Sequence, residues 1–549
     1  MNAYKNLDAD EKRTLKYIVL SIVGVIAAIL IFPIWSSGLG VIGFFDTIIR
    51  HVAITGGIIL GLAALGFATF IFMRESNRAD RASNSRYNRY GDRKTDDELA
   101  DLGPARFMAS KLWLGIGVVV AGVALIVAPL VLGGYATASQ YADGVKTVEE
   151  PVNYADRAPW TVSDAFSSRD QGDIVGDRVD VNYVPADRDA DAADGEGLSR
   201  YTTLIKGRSA FGAVGYAGVQ TLDMPTTGVI GNKASHYCEF EGADSGKRLG
   251  AFWPGVNMNW SITSKMPAAH WDKDDAYGYC DGDTPVVVVP IWKYEGFLFP
   301  TKAPNGAMVF TEGKLNHYDA EELAEEGIAG PTYPRSVAES QRKAINAGGT
   351  LADWWGSRYG YDTTEKDDED TNADAVSEFT MITSDGEMRY VTPLNPRGSS
   401  QSMTAVVSIP AVQTKNGLAP TIVNTSPDLP STSTLATSIK ESSVNGDSAW
   451  TNRWASGMMI YEILPAQDGH WVASIGQGQA VSYRADIAPD GTIVVTNSDT
   501  GQASDGKAED KDSVTVKSDK ALKDMTDEEL YETIREATDE LESRNSTDE

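Results

Sequence analysis

His236, Cys238, His270 and Cys280 are together the ligand types of a tetrahedral zinc site. Their spacing does not suit one. His236-Tyr237-Cys238 places a single residue between ligands where zinc motifs typically hold about two to four, and no H-E-x-x-H or paired C-x-x-C accompanies them. These are the only two cysteines in 549 residues, and in an exported segment two such thiols oxidise, so a Cys238–Cys280 disulfide is expected. Asp272, Asp274, Asp275, Asp281 and Asp283 crowd around Cys280 in the manner of a calcium loop, and Asp370, Asn372 and Asp374 begin like an EF-hand. The second match fails where the loop needs glycine and finds Ala375, and where it needs a bidentate glutamate and finds Met381. Both read as solvated acidic loops. No metal and no cofactor is expected.

Glu239 with Glu241, Glu321 with Glu322, and Asp353 beside Trp354 and Trp355 are the carboxylates and stacking platform that glycan hydrolysis would use. That chemistry is defined by the distance between two carboxyl groups, which spacing along the chain does not give. With His270 and Asp272, the residues Glu239 and Asp353 form the candidate set for a membrane-anchored hydrolase of cell-wall glycan or peptide. No G-x-S-x-G elbow or Walker loop is present, which weighs against an enzyme. Aromatic density is the other unusual property, and most of these rings are expected in the core. Trp253, Trp260, Trp271 and Trp292 fall in one stretch, and with Trp354 and Trp355 they are either core or, where exposed, a contact surface for a protein or glycan.

The elements that must position these residues begin with three apolar runs, Tyr17 to Trp35, Val52 to Met73 and Leu112 to Leu132. About 20 apolar residues span the ~30 Å hydrocarbon core as a helix, so residues 1–135 are expected to form a three-helix transmembrane anchor. The intervening loop 74–111 is rich in arginine and 36–51 holds only Arg50, which puts the loop and the N-terminus in the cytoplasm and residues 136–549 outside. A cleaved signal peptide fits the first run poorly, because Pro33 to Ser37 is not a small-x-small cleavage site. None of the runs carries an interior ionisable residue, which argues against transport. Gly57 with Gly61, and Gly117 with Ala121, are small-x-x-x-small pairs that allow close helix packing.

Residues 112–549 carry 34 Lys and Arg against 66 Asp and Glu, a net charge of −32. Such a field excludes nucleic acid as a partner and leaves membrane lipid, another envelope protein or a glycan. An acidic stalk or loop is expected over 136–200, an α+β lobe with both cysteines over 201–365, a mostly β lobe over 375–500 and an acidic tail over 501–549. The tail carries one short helix with Leu530, Ile534, Ala537 and Leu541 on one face.

Within the first lobe, Val286 to Trp292 reads as a strand whose Pro290 marks an edge or bulge, and Pro304-Asn305-Gly306 as a turn. Asp319 to Gly327 reads as a short helix, Ser336 to Glu339 as a capping box, and Thr350 as the cap of a third helix. In the second lobe, Asp385-Gly386, Asp468-Gly469 and Asp490-Gly491 each join two β-prone runs, which predicts a largely antiparallel sheet. The Ser/Thr-rich stretch 425–448 reads as a long loop. The function expected from all this is display of a large acidic ectodomain for binding or scaffolding at the cell envelope, with the hydrolase as the alternative.

Overall fold

The structure is a computed structural model that describes residues 51, 55–66, 105–149, 153–155, 177–184, 198–207, 215–225, 234–240, 246–251, 255–296, 299–356, 360–363, 379–397, 402–403, 405–425, 429–430, 432–442, 450–477, 480–497 and 503–506. Most of the described chain outside one long helix is β-sheet. The first sheet runs in chain order through Asp177–Tyr183, Leu198–Lys206, Tyr216–Pro225 and Ala234–Glu239. The second does the same through Tyr277–Asp281, Thr284–Glu295, Thr301–Thr311 and Lys314–Tyr318.

The strand Thr284–Glu295 shows why valine recurs there without alternation. Val287, Val289 and Ile291 enter a core shared with Leu204, Val219, Cys238 and Phe310, while Val286 and Val288 enter a second core with Tyr277, Leu323 and Ile328. A strand covered on both faces has no polar side to show. The two sheets approach so closely at Gly278 that a Cβ there would lie 2.5 Å from Leu204 Cδ2 and 2.9 Å from Val219 Cγ2. Pro290 sits at a register shift, as its missing N–H requires. Pro304-Asn305-Gly306 is not a turn between strands. It lies inside Thr301–Thr311, opposite the same shift, where Gly306 takes φ +80° and its amide donates to Gln413 Oε1 at 3.1 Å.

The third sheet has the order Val145–Val148, Thr421–Asn424, Ala405–Pro410, Met388–Pro396 and Tyr361–Thr363, with Phe379–Ile382 also against Met388–Pro396. Its first pair is parallel. Strands from the expected stalk and from both expected lobes therefore share one sheet. The last large sheet is an antiparallel meander of Met458–Pro465, Trp471–Gln477, Ala480–Ile487, Ile493–Asn497 and Ala503–Gly506. All three Asp-Gly pairs join antiparallel neighbours, with Gly386, Gly469 and Gly491 at φ +88°, +75° and +86°. The stretch expected as a Ser/Thr-rich loop instead contains the helix Thr432–Glu441. Leu435, Ala436 and Ile439 bury one face of it in the core that also holds Trp450, Ile460 and Trp471.

Among the described residues one helix is long and apolar enough to cross a membrane: Ile116–Ala142, within the helix Ala105–Ala142. Of the three expected spans, only this one is shown among the described residues. The second run appears as a shorter apolar helix, Thr55–Gly66, while the run Tyr17 to Trp35, the loop 74–104 and the tail helix lie outside the described residues.

Gly57 and Gly61 face the long helix. A Cβ on Gly57 would stand 2.6 Å from Leu125 O, and one on Gly61 would stand 2.3 Å from Ile126 Cγ1 and 2.6 Å from Gly122 O. Gly117 and Ala121 lie on the exposed side, so Gly122, one residue further on, is the small residue at the crossing. Gly61→Ala should therefore force the helices apart at a cost of about 1–3 kcal/mol, read as a lower unfolding midpoint in detergent. Gly117→Ala, whose Cβ would meet nothing within 4 Å, should leave that midpoint in place.

Candidate interaction site at the end of the long helix

Gly133-Gly134 directly after the apolar run is a stop signal for a helix, yet the helix continues to Ala142. Tertiary contacts outweigh the local cost of glycine. Trp354 lies over Gly134, with its Cη2 3.3 Å from where a Cβ on Gly134 would stand, and packs against the Tyr135 ring at 5.8 Å. The Tyr135 hydroxyl donates to Gly349 O at 2.7 Å, and Gln140 Nε2 donates to Phe299 O at 3.1 Å. Tyr141 is buried, and its hydroxyl accepts from the Lys302 amide at 2.6 Å. The last turns of the helix are thus an integral part of the sheet-rich domain.

A second contact reaches the other apolar segment. His51, just before the run that begins at Val52, meets the Tyr294 ring edge-on at 4.8 Å. Tyr294 in turn lies 4.8 Å from His270 and 5.0 Å from Trp292, and His270 stacks on Trp292 at 4.8 Å with Lys302 Nζ 4.9 Å above the indole. Backbone hydrogen bonds of 2.8 and 2.9 Å between His270 and Trp292 hold the pair in register. The end of the strand Thr284–Glu295 and the residue before the second apolar run therefore meet in one aromatic cluster, which Lys302 links to Tyr141 on the long helix.

The helix Arg335–Ala344 backs this junction. Its N-cap is Pro334, which offers no side-chain cap, so the expected Ser336–Glu339 capping box does not form. Asp275 supplies the cap from a distant segment: Oδ1 accepts from the Ser336 amide at 2.8 Å and Oδ2 from its hydroxyl at 2.5 Å. Burial pushes the Asp275 carboxyl up to about 6, against the opposing pull of the Ser336 hydrogen bonds. Further along the same helix, Gln341 accepts from the Tyr333 hydroxyl at 2.6 Å and donates to Ala419 O at 2.7 Å, joining the helix to the third sheet.

The residues considered for zinc are used otherwise. Cys238 and Cys280 form a disulfide with Cα atoms 6.0 Å apart, which ties the edge strand Ala234–Glu239 of the first sheet to the edge strand Tyr277–Asp281 of the second. His236 is exposed, with Nε2 3.2 Å from Gly282 O and 3.5 Å from Asp283. Among the described residues no group of three His, Cys, Asp or Glu is arranged to hold a metal ion.

The hydrolase candidates are likewise scattered among local tasks. Glu239 is exposed on its strand. Asp272 accepts from the Asp274 amide at 3.1 Å, opening a short 3-10 turn. Asp353 accepts from the Thr350 hydroxyl at 2.6 Å at the start of the helix Leu351–Gly356. Glu322 completes a capping box with Asp319, and Glu321 is exposed beside it. Glu241 and the segment Asp370 to Asp374 lie outside the described residues.

Of the six tryptophans considered for contact, out of twelve in the chain, Trp253 lies outside the described residues, Trp292 is buried, and Trp271 and Trp354 are half-buried. Trp260 and Trp355 are exposed, at 39% and 62%. The residues at the junction that sequence reasoning passed over are His51, Tyr135, Gln140, Tyr141 and Lys302. A tyrosine at 135 and another at 141, directly beyond an apolar run, are the one local trace of it. Comparison with protein-family models, curated proteins and solved structures finds no match to this chain.

Proposed function

We propose that this chain is an integral, multi-pass membrane protein that displays a large acidic ectodomain at the cell envelope, where it binds or scaffolds another envelope protein or a glycan. The N-terminus and the arginine-rich loop 74–111 lie in the cytoplasm in this reading, and residues 136–549 lie outside. One observation carries it. The apolar stretch of Ile116–Ala142 leaves Val120, Leu130 and Leu132 exposed at 61%, 46% and 48%, and the same helix then runs unbroken into a well-packed domain. An apolar face of that size needs lipid, and its rigid continuation holds the sheets at a set distance from it.

Of the four hydrolase candidates, Asp272, His270 and Asp353 are engaged in a 3-10 turn, an aromatic stack and a helix start, and Glu239 is exposed on an edge strand. Binding is therefore the reading favoured here. Protease added to intact cells should digest the chain beyond residue 136 and spare the loop 74–111; the reverse pattern overturns the topology. Crosslinking in the same cells followed by mass spectrometry should return a reproducible neighbour. A chain that crosslinks only to itself overturns the scaffold.

A further inference from the structure

We infer that the short helix Leu351–Gly356 lies in the headgroup layer of the outer leaflet, with Trp355 inserted among the lipid headgroups beside the long helix. The inference rests on the membrane-spanning reading and adds a second, peripheral foothold to it. Depth along the long helix sets the level. Leu112 to Leu132, at 1.5 Å per residue, covers about 30 Å and so matches the hydrocarbon core. Gly134 and Tyr135 then stand roughly 3–5 Å beyond its edge, inside the polar layer of about 5–8 Å that borders each face.

The helix Leu351–Gly356 is fixed to that level from two sides. Trp354 packs on Gly134 and on the Tyr135 ring, and the Tyr135 hydroxyl bonds Gly349 O two residues before the helix begins. Adjacent residues on a helix diverge by about 100°, so with Trp354 turned to the long helix, Trp355 projects away from it. At 62% it is the most exposed large apolar side chain described outside the two apolar helices, with Trp260 at 39% its only rival. The six-residue helix carries one charge, Asp353, and that carboxylate is turned back to Thr350. An indole in this position suits the interface, where its face meets acyl chain and its N–H meets phosphate or carbonyl oxygen. Leu130 and Leu132, just before Gly134 on the long helix, are exposed as well.

The test uses the full chain reconstituted in phosphatidylcholine liposomes, with Trp355→Cys labelled by an environment-sensitive NBD fluorophore. A phospholipid bearing a nitroxide near the headgroup end of its acyl chain should remove roughly half of the label's emission, and a water-soluble nitroxide should remove much less. Wild-type protein should lose more intrinsic fluorescence to brominated lipid than Trp355→Phe, which checks the site without a label. Stronger quenching from water than from lipid, in protein that resists carbonate extraction, overturns the inference and leaves the span intact. Protein that carbonate extracts overturns the spanning reading and the inference with it.

Discussion

The double replacement Cys238→Ala/Cys280→Ala is expected to lower the unfolding free energy of the sheet-rich domain by about 4 kcal/mol. The two residues are 42 apart in the chain, and closing a loop of that length in the unfolded state carries about that much chain entropy. The site makes the loss felt. The bridge joins the edge strands of two sheets whose common core includes Cys238 itself, with Val219, Val289 and Phe310 around it. Without the bridge those edges are held by side-chain packing and by the exposed contacts of His236 with Gly282 O and Asp283. Thermal unfolding of the full chain in detergent should show a midpoint lower by on the order of 10 °C, and reductant should move wild type toward the variant. A midpoint unchanged within error would mean that the core between the sheets sets the stability by itself.

The second large effect concerns Asp275 and its sign is opposite to common expectation for a paired carboxylate. Burial raises its folded-state value to about 6 from an ordinary 3.8, so the folded chain favours the protonated acid. Its stabilising contribution is complete below about pH 4 and is lost as pH rises through about 6, a swing of about 3 kcal/mol. Asp275→Asn keeps an oxygen for the Ser336 amide and has nothing to titrate. The stability difference between wild type and Asp275→Asn, followed by denaturant unfolding, should therefore turn against wild type by that amount between pH 4 and pH 7. Asp275→Ala should be less stable than Asp275→Asn at every pH, since it leaves the start of the helix Arg335–Ala344 without a cap. Parallel pH profiles for wild type and Asp275→Asn would refute the buried titration.

Where a residue's local chemistry decides its conformation, the sequence was a good guide. The three Asp-Gly hairpins follow from the need for positive φ, and the bulge at Pro290 from a missing donor. Cys238 and Cys280 were legible as a bridge because nothing else in the chain can oxidise with them. What failed was decided by partners far along the chain. The Asn305-Gly306 pair has turn chemistry, but Tyr318 and Gln413 pack so close to Gly306 that it becomes an irregularity within a strand. Ser336 looked like a cap because the segment carrying Asp275 is not visible from its neighbours. The helix Thr432–Glu441 is weakly apolar, and only the sheet beneath Leu435 and Ile439 makes it worth forming. The junction at Tyr135 to Tyr141 was hidden behind two glycines for the same reason.

The parallel pairing of Val145–Val148 with Thr421–Asn424 has a consequence for biogenesis. A ribosome adding about 5–20 residues per second delivers the second partner tens of seconds after the first. Through that interval the segment after the last apolar run has an unmatched edge and no cover from Arg335–Ala344. That edge stays open to pairing with other chains, and the domain can close only when nearly four fifths of the polypeptide has been made.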